Sequence, residues 1–423
     1  MQKLLLQQLQ QKKHHEQQKK EQEKQKEQKH QNKEAEKPVT CTSSHLQLLW
    51  DPTKPVNFST STNITSVLYY NTHSGTNANF AAVAKSLSFK LHSFDPRAIV
   101  PYGMSETAAN RIIASGHVGY LCTAFDVIVI ADTLPHARHF IQSIVDGNPC
   151  RAQIIVEMTN RFNWEVKDTE LYHETIRVAV ERRLVQFVAN NRAEHAFLED
   201  AIGLKFEPDV RQVIVRPLGI SVDAYWPRQY GVQNINTFVA RENFCGDAYK
   251  TLKNKYHLPI AIVPAATHYG GPKNLAKFKA FIDFPYQYSV MKFYENIAYG
   301  VPQYLPTPRF WEEVLDNKLH CAWWASPNVL KNLVKQRDKN RVSNPNNLQI
   351  IKNFPDWSAY MDLYDPLFEP YVYYFDSIDE LLALVNQTPD QVDWKNVRTN
   401  GPLFYEKYRE MILKEWEKLI FEG

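Results

Sequence analysis

The chain has no Asp-x-Asp, no Gly-x-Gly-x-x-Gly and no Cys-x-x-Cys. Without the first, the chain lacks that carboxylate motif for a divalent metal, and no metal is expected. Without the second, a dehydrogenase that binds a dinucleotide is disfavoured. Five cysteines (Cys41, Cys122, Cys150, Cys245 and Cys321) lie far apart, with no Cys/His cluster at zinc spacing. Free buried thiols are therefore expected, and an odd count gives no support to a disulfide framework. No apolar run is long enough to cross a bilayer. Leu4, Leu5 and Leu6 are followed at once by Gln and Lys, which is not a signal-peptide pattern. The compartment stays open: the cytoplasm is slightly favoured, and Asn57-Phe-Ser and Asn63-Ile-Thr match the glycosylation triplet of a secretory lumen.

Charge is unevenly placed. The formal net charge is +3, but residues 1–37 alone hold ten Lys and six Glu, and the remainder is about neutral. A neutral body with a basic tail argues against a nucleic-acid groove. That tail is almost wholly Gln, Lys, Glu and His, so it buries no apolar area and is expected to be disordered or a lone solvated helix. After Leu9 it lacks the apolar a and d positions of a coiled coil.

From Ser66 onward the pattern is globular, with 44% apolar residues over the whole chain. Strands are expected at Val67–Tyr70, Ala98–Val100, Val127–Ile130, Ile154–Glu157, Val185–Ala189 and Val213–Val215. Helices alternate with them: Ser105 caps Glu106–Ala114, Pro135 opens a helix that Gly147 stops, and Gly203 ends Ala193–Ala201. The rhythm breaks between Pro217 and Gln233 and then restarts. Strands follow at Thr237–Ala240, Ile260–Val263, Phe281–Phe284 and Pro302–Leu305, with helices near Asp247–Lys255, Lys273–Lys279 and Val290–Tyr299. Two-sided apolar strands alternating with helices imply parallel sheets covered on both faces. The expected fold is α/β, with two Rossmann-like lobes and a ligand cleft between them. The divisions are a tail and linker over 1–60, a first lobe over 61–230, a second lobe over 231–403 and a closing amphipathic helix over 404–423.

The segment Pro285-Tyr-Gln-Tyr-Ser-Val-Met-Lys-Phe-Tyr-Glu-Asn-Ile-Ala-Tyr-Gly-Val-Pro302 carries the most chemistry. Ser289 suits an N-cap, Gly300 the position past the C-terminus, and Pro302 forbids continuation. Val290, Phe293, Ile297 and Ala298 fall on one face. Lys292, Glu295, Asn296 and Tyr299 fall on the other. A helix starting in a cleft offers amide N–H groups to a diphosphate, with Lys292 as a point charge and Glu295 as acceptor for ribose hydroxyls. A plain surface helix with Lys292 paired to Glu295 accounts for the same spacing.

This string resembles the donor-binding helix of the GT-B glycosyltransferases, of the group 1 or family 4-like type. Ser289, Lys292, Glu295, Ala298, Gly300 and Pro302 match its positions. Gln287 stands where retaining members carry a second Glu. The turn Asn71-Thr-His-Ser-Gly-Thr76 follows the first strand as in that family, and Ile214–Ser221 resembles its crossover turn with Leu218 in place of the usual Asn. The resemblance implies a metal-independent, cofactor-free transferase moving a sugar from a nucleotide-diphosphate-sugar donor to an unidentified glycan, lipid or protein acceptor. It implies donor contacts from Ser74, Gly75, Arg241, Ser289, Lys292, Glu295 and Asn296. It also implies that the closing helix crosses back to the first lobe. A non-catalytic, nucleotide-binding or interaction protein of the same architecture is the alternative.

First-lobe candidates come from positions after strands. Asp132 and His136 are candidates for base or orienting group toward an acceptor hydroxyl. The cap of a helix opened by Pro135 is the more ordinary role for Asp132. His73, Asn160 and Arg161 are acceptor or phosphate candidates, Arg161 by bidentate contact. His268-Tyr-Gly-Gly-Pro272 reads as a turn near a nucleotide base or as a plain loop.

Overall fold

Val127-Ile-Val-Ile130 is buried along its whole length, with Val127 and Val129 in one core and Ile128 and Ile130 in another. A β-branched run of this kind, apolar on both faces, belongs in the middle of a parallel sheet. The computed structural model describes residues 65–159, 163–204, 213–219, 237–242, 245–264, 271–316, 327–339, 350–387 and 396–422. The expected tail and linker, the boundary near residue 230, Asn57, Asn63, Asn160 and Arg161 lie outside these.

The first lobe runs β1 (Ser66–Tyr70), α1 (Ser74–Leu87), β2 (Lys90–Phe94), α2 (Glu106–Ala114), α3 (His117–Ala124), β3 (Val127–Ile130), α4 (Arg138–Val145), β4 (Gln153–Met158), α5 (Thr169–Glu181), β5 (Gln186–Ala189), α6 (Arg192–Ile202) and β6 (Val213–Ile214). Its six strands pair in parallel in the order β2-β1-β3-β4-β5-β6. The second lobe runs β7 (Phe238–Arg241), α7 (Gly246–Asn254), β8 (Ile260–Val263), α8 (Pro272–Leu275), β9 (Phe281–Ile282), α9 (Met291–Ala298), β10 (Gln303–Pro306), α10 (Pro308–Asp316), α11 (Pro327–Lys339), β11 (Val372–Phe375) and α12 (Ile378–Asn386). Its five strands are also parallel, in the order β11-β10-β9-β7-β8.

Both sheets are doubly wound in the same way: each begins one strand in from an edge, steps out to that edge, then returns to build outward on the other side. The chain therefore reverses direction between β1 and β3 in the first sheet and between β7 and β9 in the second. Connections diverge at such points and open a crevice beyond the carboxyl ends of the strands.

Local signals set most element ends. The Ser105 hydroxyl accepts from Ala108 N–H at the start of α2, and Gly203 takes a left-handed conformation after α6. The edge strand differs from expectation. Ala98–Val100 is not a strand: Pro96–Ala98 is a 3-10 turn capped by Asp95, and the strand is Lys90–Phe94. Pro96 lacks the N–H a ladder needs, and the alternating Lys90-Leu-His-Ser-Phe94 is a half-exposed edge pattern. The helix expected from Pro135 opens as a 3-10 turn, Leu134–Ala137, before α4.

The free-thiol expectation is overturned for Cys122, Cys150 and Cys245; Cys41 and Cys321 lie outside the described residues. Cys122, at the end of α3, is joined in a disulfide to Cys150, ahead of β4, and Cys245 is disulfide-bonded as well. Spacing of 28 residues gives no local signal; the sheet brings the two chain segments together.

The closing helix α13 (Gly401–Phe421) passes along α9 and reaches the first lobe. Trp416 meets Phe80 of α1 edge-on at 5.1 Å, and Gln153 donates to the Leu419 carbonyl at 2.9 Å. The Tyr405 and Tyr408 hydroxyls donate to the Leu218 and Pro217 carbonyls, both at 2.9 Å. Tyr405, Tyr408, Ile412, Trp416 and Ile420 form the buried stripe of α13, while Met411 is 47% exposed.

The turn after β6 is pressed against α9. Gly219 has φ +74°, and a Cβ there would lie 2.5 Å from Tyr294 Cβ and 2.7 Å from the Met291 carbonyl oxygen. Gly219→Ala is expected to cost about 2–4 kcal/mol through left-handed strain and overpacking. An unchanged denaturant midpoint for this variant would show that the turn does not need its close approach.

Candidate functional site

The reversal point of the second sheet carries charge of both signs. Arg241 is the last residue of β7, Asp283 follows β9, and Lys292 lies in the first turn of α9. Burial pushes the Asp283 carboxyl up, with Lys292 and Arg241 acting against that rise, and Tyr249 donates to its Oδ1 at 3.3 Å. Burial pushes the Lys292 ammonium down, Arg241 adds repulsion, and Asp283 and Glu295 oppose both. Lys292 Nζ sits 5.1 Å above the Phe281 ring. Two cations and one buried carboxylate thus share a helix N-terminus, an arrangement suited to an anion that can outcompete Asp283.

The helix differs in detail from the sequence expectation. Val290 is the N-cap and no side chain caps α9; Ser289 Oγ instead lies 3.3 Å from the Tyr294 hydroxyl. Asn296 is not on an open polar face. It is 0% exposed and donates to Gln303 Oε1 at 3.1 Å, while Gln303 donates to the Phe293 carbonyl. Glu295 is buried too, beneath the Gly219 turn. Gly300 does take a left-handed conformation past the helix end, where a Cβ would strike Arg398 backbone.

The first-lobe edge comes up against this helix. Ser74 and Gly75 form the first turn of α1, and a Cβ on Gly75 would sit 3.5 Å from Met291 Sδ. His73 is exposed and caps α1, its Nδ1 accepting from Thr76 N–H at 3.3 Å. In the neutral ring the proton then belongs to Nε2, so His73 offers the cleft a donor. Asn71 braces the turn, donating to Thr76 Oγ1 at 2.6 Å and to the His73 carbonyl at 2.8 Å.

Asp132 and His136 follow β3, across the reversal point from His73. Asp132 caps nothing. It has φ +76°, a conformation that costs an L-residue about 1–2 kcal/mol. Its Oδ2 accepts from the Thr72 hydroxyl at 2.7 Å, and its carbonyl accepts from Thr159 at 2.9 Å. His136 is 0% exposed, neither ring nitrogen has a hydrogen-bond partner, and burial pushes its pKa down against the pull of Asp132 and Asp95. Among the described residues, no three His, Cys, Asp or Glu side chains converge as metal ligands.

Sequence reasoning missed Asp283, Thr72, Tyr69 and Glu157. Asp283 was within reach, because it falls inside an expected strand end beside Arg241 once the strand order is known. Asn160 and Arg161 lie outside the described residues. No protein-family model matches the chain, and no curated protein matches it.

Sulfate is a suitable probe, since its charge is constant across neutral pH. Its affinity should fall as pH rises through about 8, where Lys292 gives up its proton, by up to about tenfold per unit. Calorimetric titration of wild type and Lys292→Met checks this: the variant should bind weakly with no such pH dependence. Equal slopes in both proteins would remove Lys292 from the anion site.

Proposed function

We propose that this protein transfers a sugar from a nucleotide-diphosphate-sugar donor to an acceptor held by the first lobe. The observation that carries the reading is the pairing of Arg241 and Lys292 at the reversal point of the second sheet, directly at the start of α9. A diphosphate leaving group needs its charge met at that place, and fixed cations with helix N–H groups do so without reorganisation. Glu295, one turn further on, accepts the ribose hydroxyls. His73 donates from Nε2 across the cleft to the phosphates or the sugar. In the reaction the acceptor oxygen bonds to the anomeric carbon, the bond from that carbon to the diphosphate oxygen breaks, and the diphosphate leaves with the electron pair. Asp132 is the anion at the first-lobe edge that takes the acceptor proton. The Cys122–Cys150 disulfide favours an oxidising compartment, and hence a secretory lumen over the cytoplasm.

A second reading, nucleotide binding without turnover, is favoured by one observation: Asp132 and His136 are both buried, 4% and 0% exposed. A panel of nucleotide-diphosphate sugars, scored by calorimetry for binding and by donor consumption for turnover, separates the two. Glu295→Gln should weaken nucleotide ligands about tenfold relative to inorganic diphosphate, the effect of one hydrogen bond to a charged group. Failure of every nucleotide sugar to bind would end the transfer reading; binding without consumption or hydrolysis of donor would favour the second.

A further inference from the structure

Behind Asp132 lies a buried carboxyl that the proposed chemistry does not use. Glu157 is the fifth residue of β4, 3% exposed, and Tyr69 of β1 donates its hydroxyl to Glu157 Oε2 at 2.7 Å. Asp132 leaves β3, which lies between those two strands. Three adjacent strand ends thus bring two carboxyls and a phenol to the crevice side of the sheet. Tyr69 is itself fully buried, stacked on Phe80 of α1 at 4.3 Å.

We propose that Glu157 is a positioning residue that holds one proton beside Asp132, leaving Asp132 the single anion at the first-lobe cleft edge. Two close carboxylates in a water-poor site do not both ionise readily. Both carboxyls are buried, but Asp132 bonds the half-buried Thr72 hydroxyl and is fixed by a strained backbone, whereas Glu157 bonds the fully buried Tyr69 phenol. The proton accordingly resides on Glu157. Burial is the larger cause of its raised pKa, about 7, the Tyr69 hydrogen bond works against the rise, and the Asp132 charge adds to it. Asp132 also acts on His136 in the 3-10 turn before α4. The residue opposite Glu157 on β5 is the apolar Val188. Once Glu157 ionises, two anions meet at the cleft edge, and Asp132 is pushed from its position.

The sign with pH follows. A carboxyl whose folded pKa lies above its unfolded value stabilises the fold fully at acid pH, and that contribution is lost as pH rises toward and through about 7. The idea rests on the transfer reading for the role of Asp132, but its test needs no turnover and no sugar. Infrared difference spectroscopy of the full chain, titrated across neutral pH, reads the carbonyl stretch of a neutral carboxylic acid. A group ionising with a midpoint of about 7 should be present in the wild type and missing in Glu157→Gln, which distinguishes it from Asp283, whose carboxyl burial also pushes up. Asp132→Asn removes the like charge and should move the midpoint down, by on the order of one pH unit. Tyr69→Phe removes the donor that favours the ionised form and should move it up. Opposite shifts support the proposal. No neutral carboxyl near pH 7, or one that neither variant moves, overturns it and leaves nucleotide binding as a separate question. Circular dichroism on each variant confirms the fold, and the wild-type titration alone overturns the proposal if the neutral carboxyl is missing.

Discussion

Arg216 is the ion around which the two lobes are joined. It leaves the first sheet just past β6 and reaches Asp362, which opens the 3-10 turn Asp362–Tyr364 of the second lobe, and Asp365 just past that turn, bonding Asp362 at 2.9 Å. Arg192 of α6 shares Asp365 at 3.0 Å, and Tyr294 of α9 donates to Asp362 at 2.5 Å. Burial works against the Arg216 charge; Asp362, Tyr294 and Asp365 outweigh it. Removing one member of such a network leaves an unpaired buried charge, costing about 3–5 kcal/mol. Geometry rather than net energy is its main yield: planar guanidinium contacts fix angles as well as distances.

The position of α9 follows from that joint. Tyr294 is tied to Asp362, stacks on Tyr408 of α13, and lies under Gly219. Each contact comes from a different part of the chain, so the first turn of α9 is held from three sides. Lys292 is in that turn, and its distance from Arg241 and Asp283 is set by packing that none of the three provides. The same constraint brings Met291 to the edge of Gly75, which closes one end of the crevice.

Charge in the crevice is balanced rather than simply positive. Asp283 stands against Arg241 and Lys292 in one lobe, while Asp132 and Glu157 share the other with a single phenol and a hydroxyl nearby. Buried groups of opposite tendency raise one another's sensitivity to protons, because low local polarity strengthens every pair term. Protonation at Glu157 and at Lys292 therefore bears on opposite walls of one cleft.

Much of the architecture was legible in the chain. Val127–Ile130 reads as a buried strand because a β-branched run admits no other comfortable setting, and Ser105 and Gly203 mark helix ends by chemistry local to a few residues. The pairing of Lys292 with the start of a helix was legible for the same reason. The faces of that helix were not: Asn296 reads as polar and exposed, yet Gln303 completes its hydrogen bond from seven residues away, across the turn into β10. Cys122 with Cys150, Tyr69 with Glu157 and Arg216 with Asp362 join positions 28, 88 and 146 residues apart. Sequence alone determined periodicity, caps and the alternation of strand and helix, since these depend on neighbours within a turn or a pleat. Strand order decided the rest, because a doubly wound sheet brings distant carboxyl ends together and only there do their charges interact.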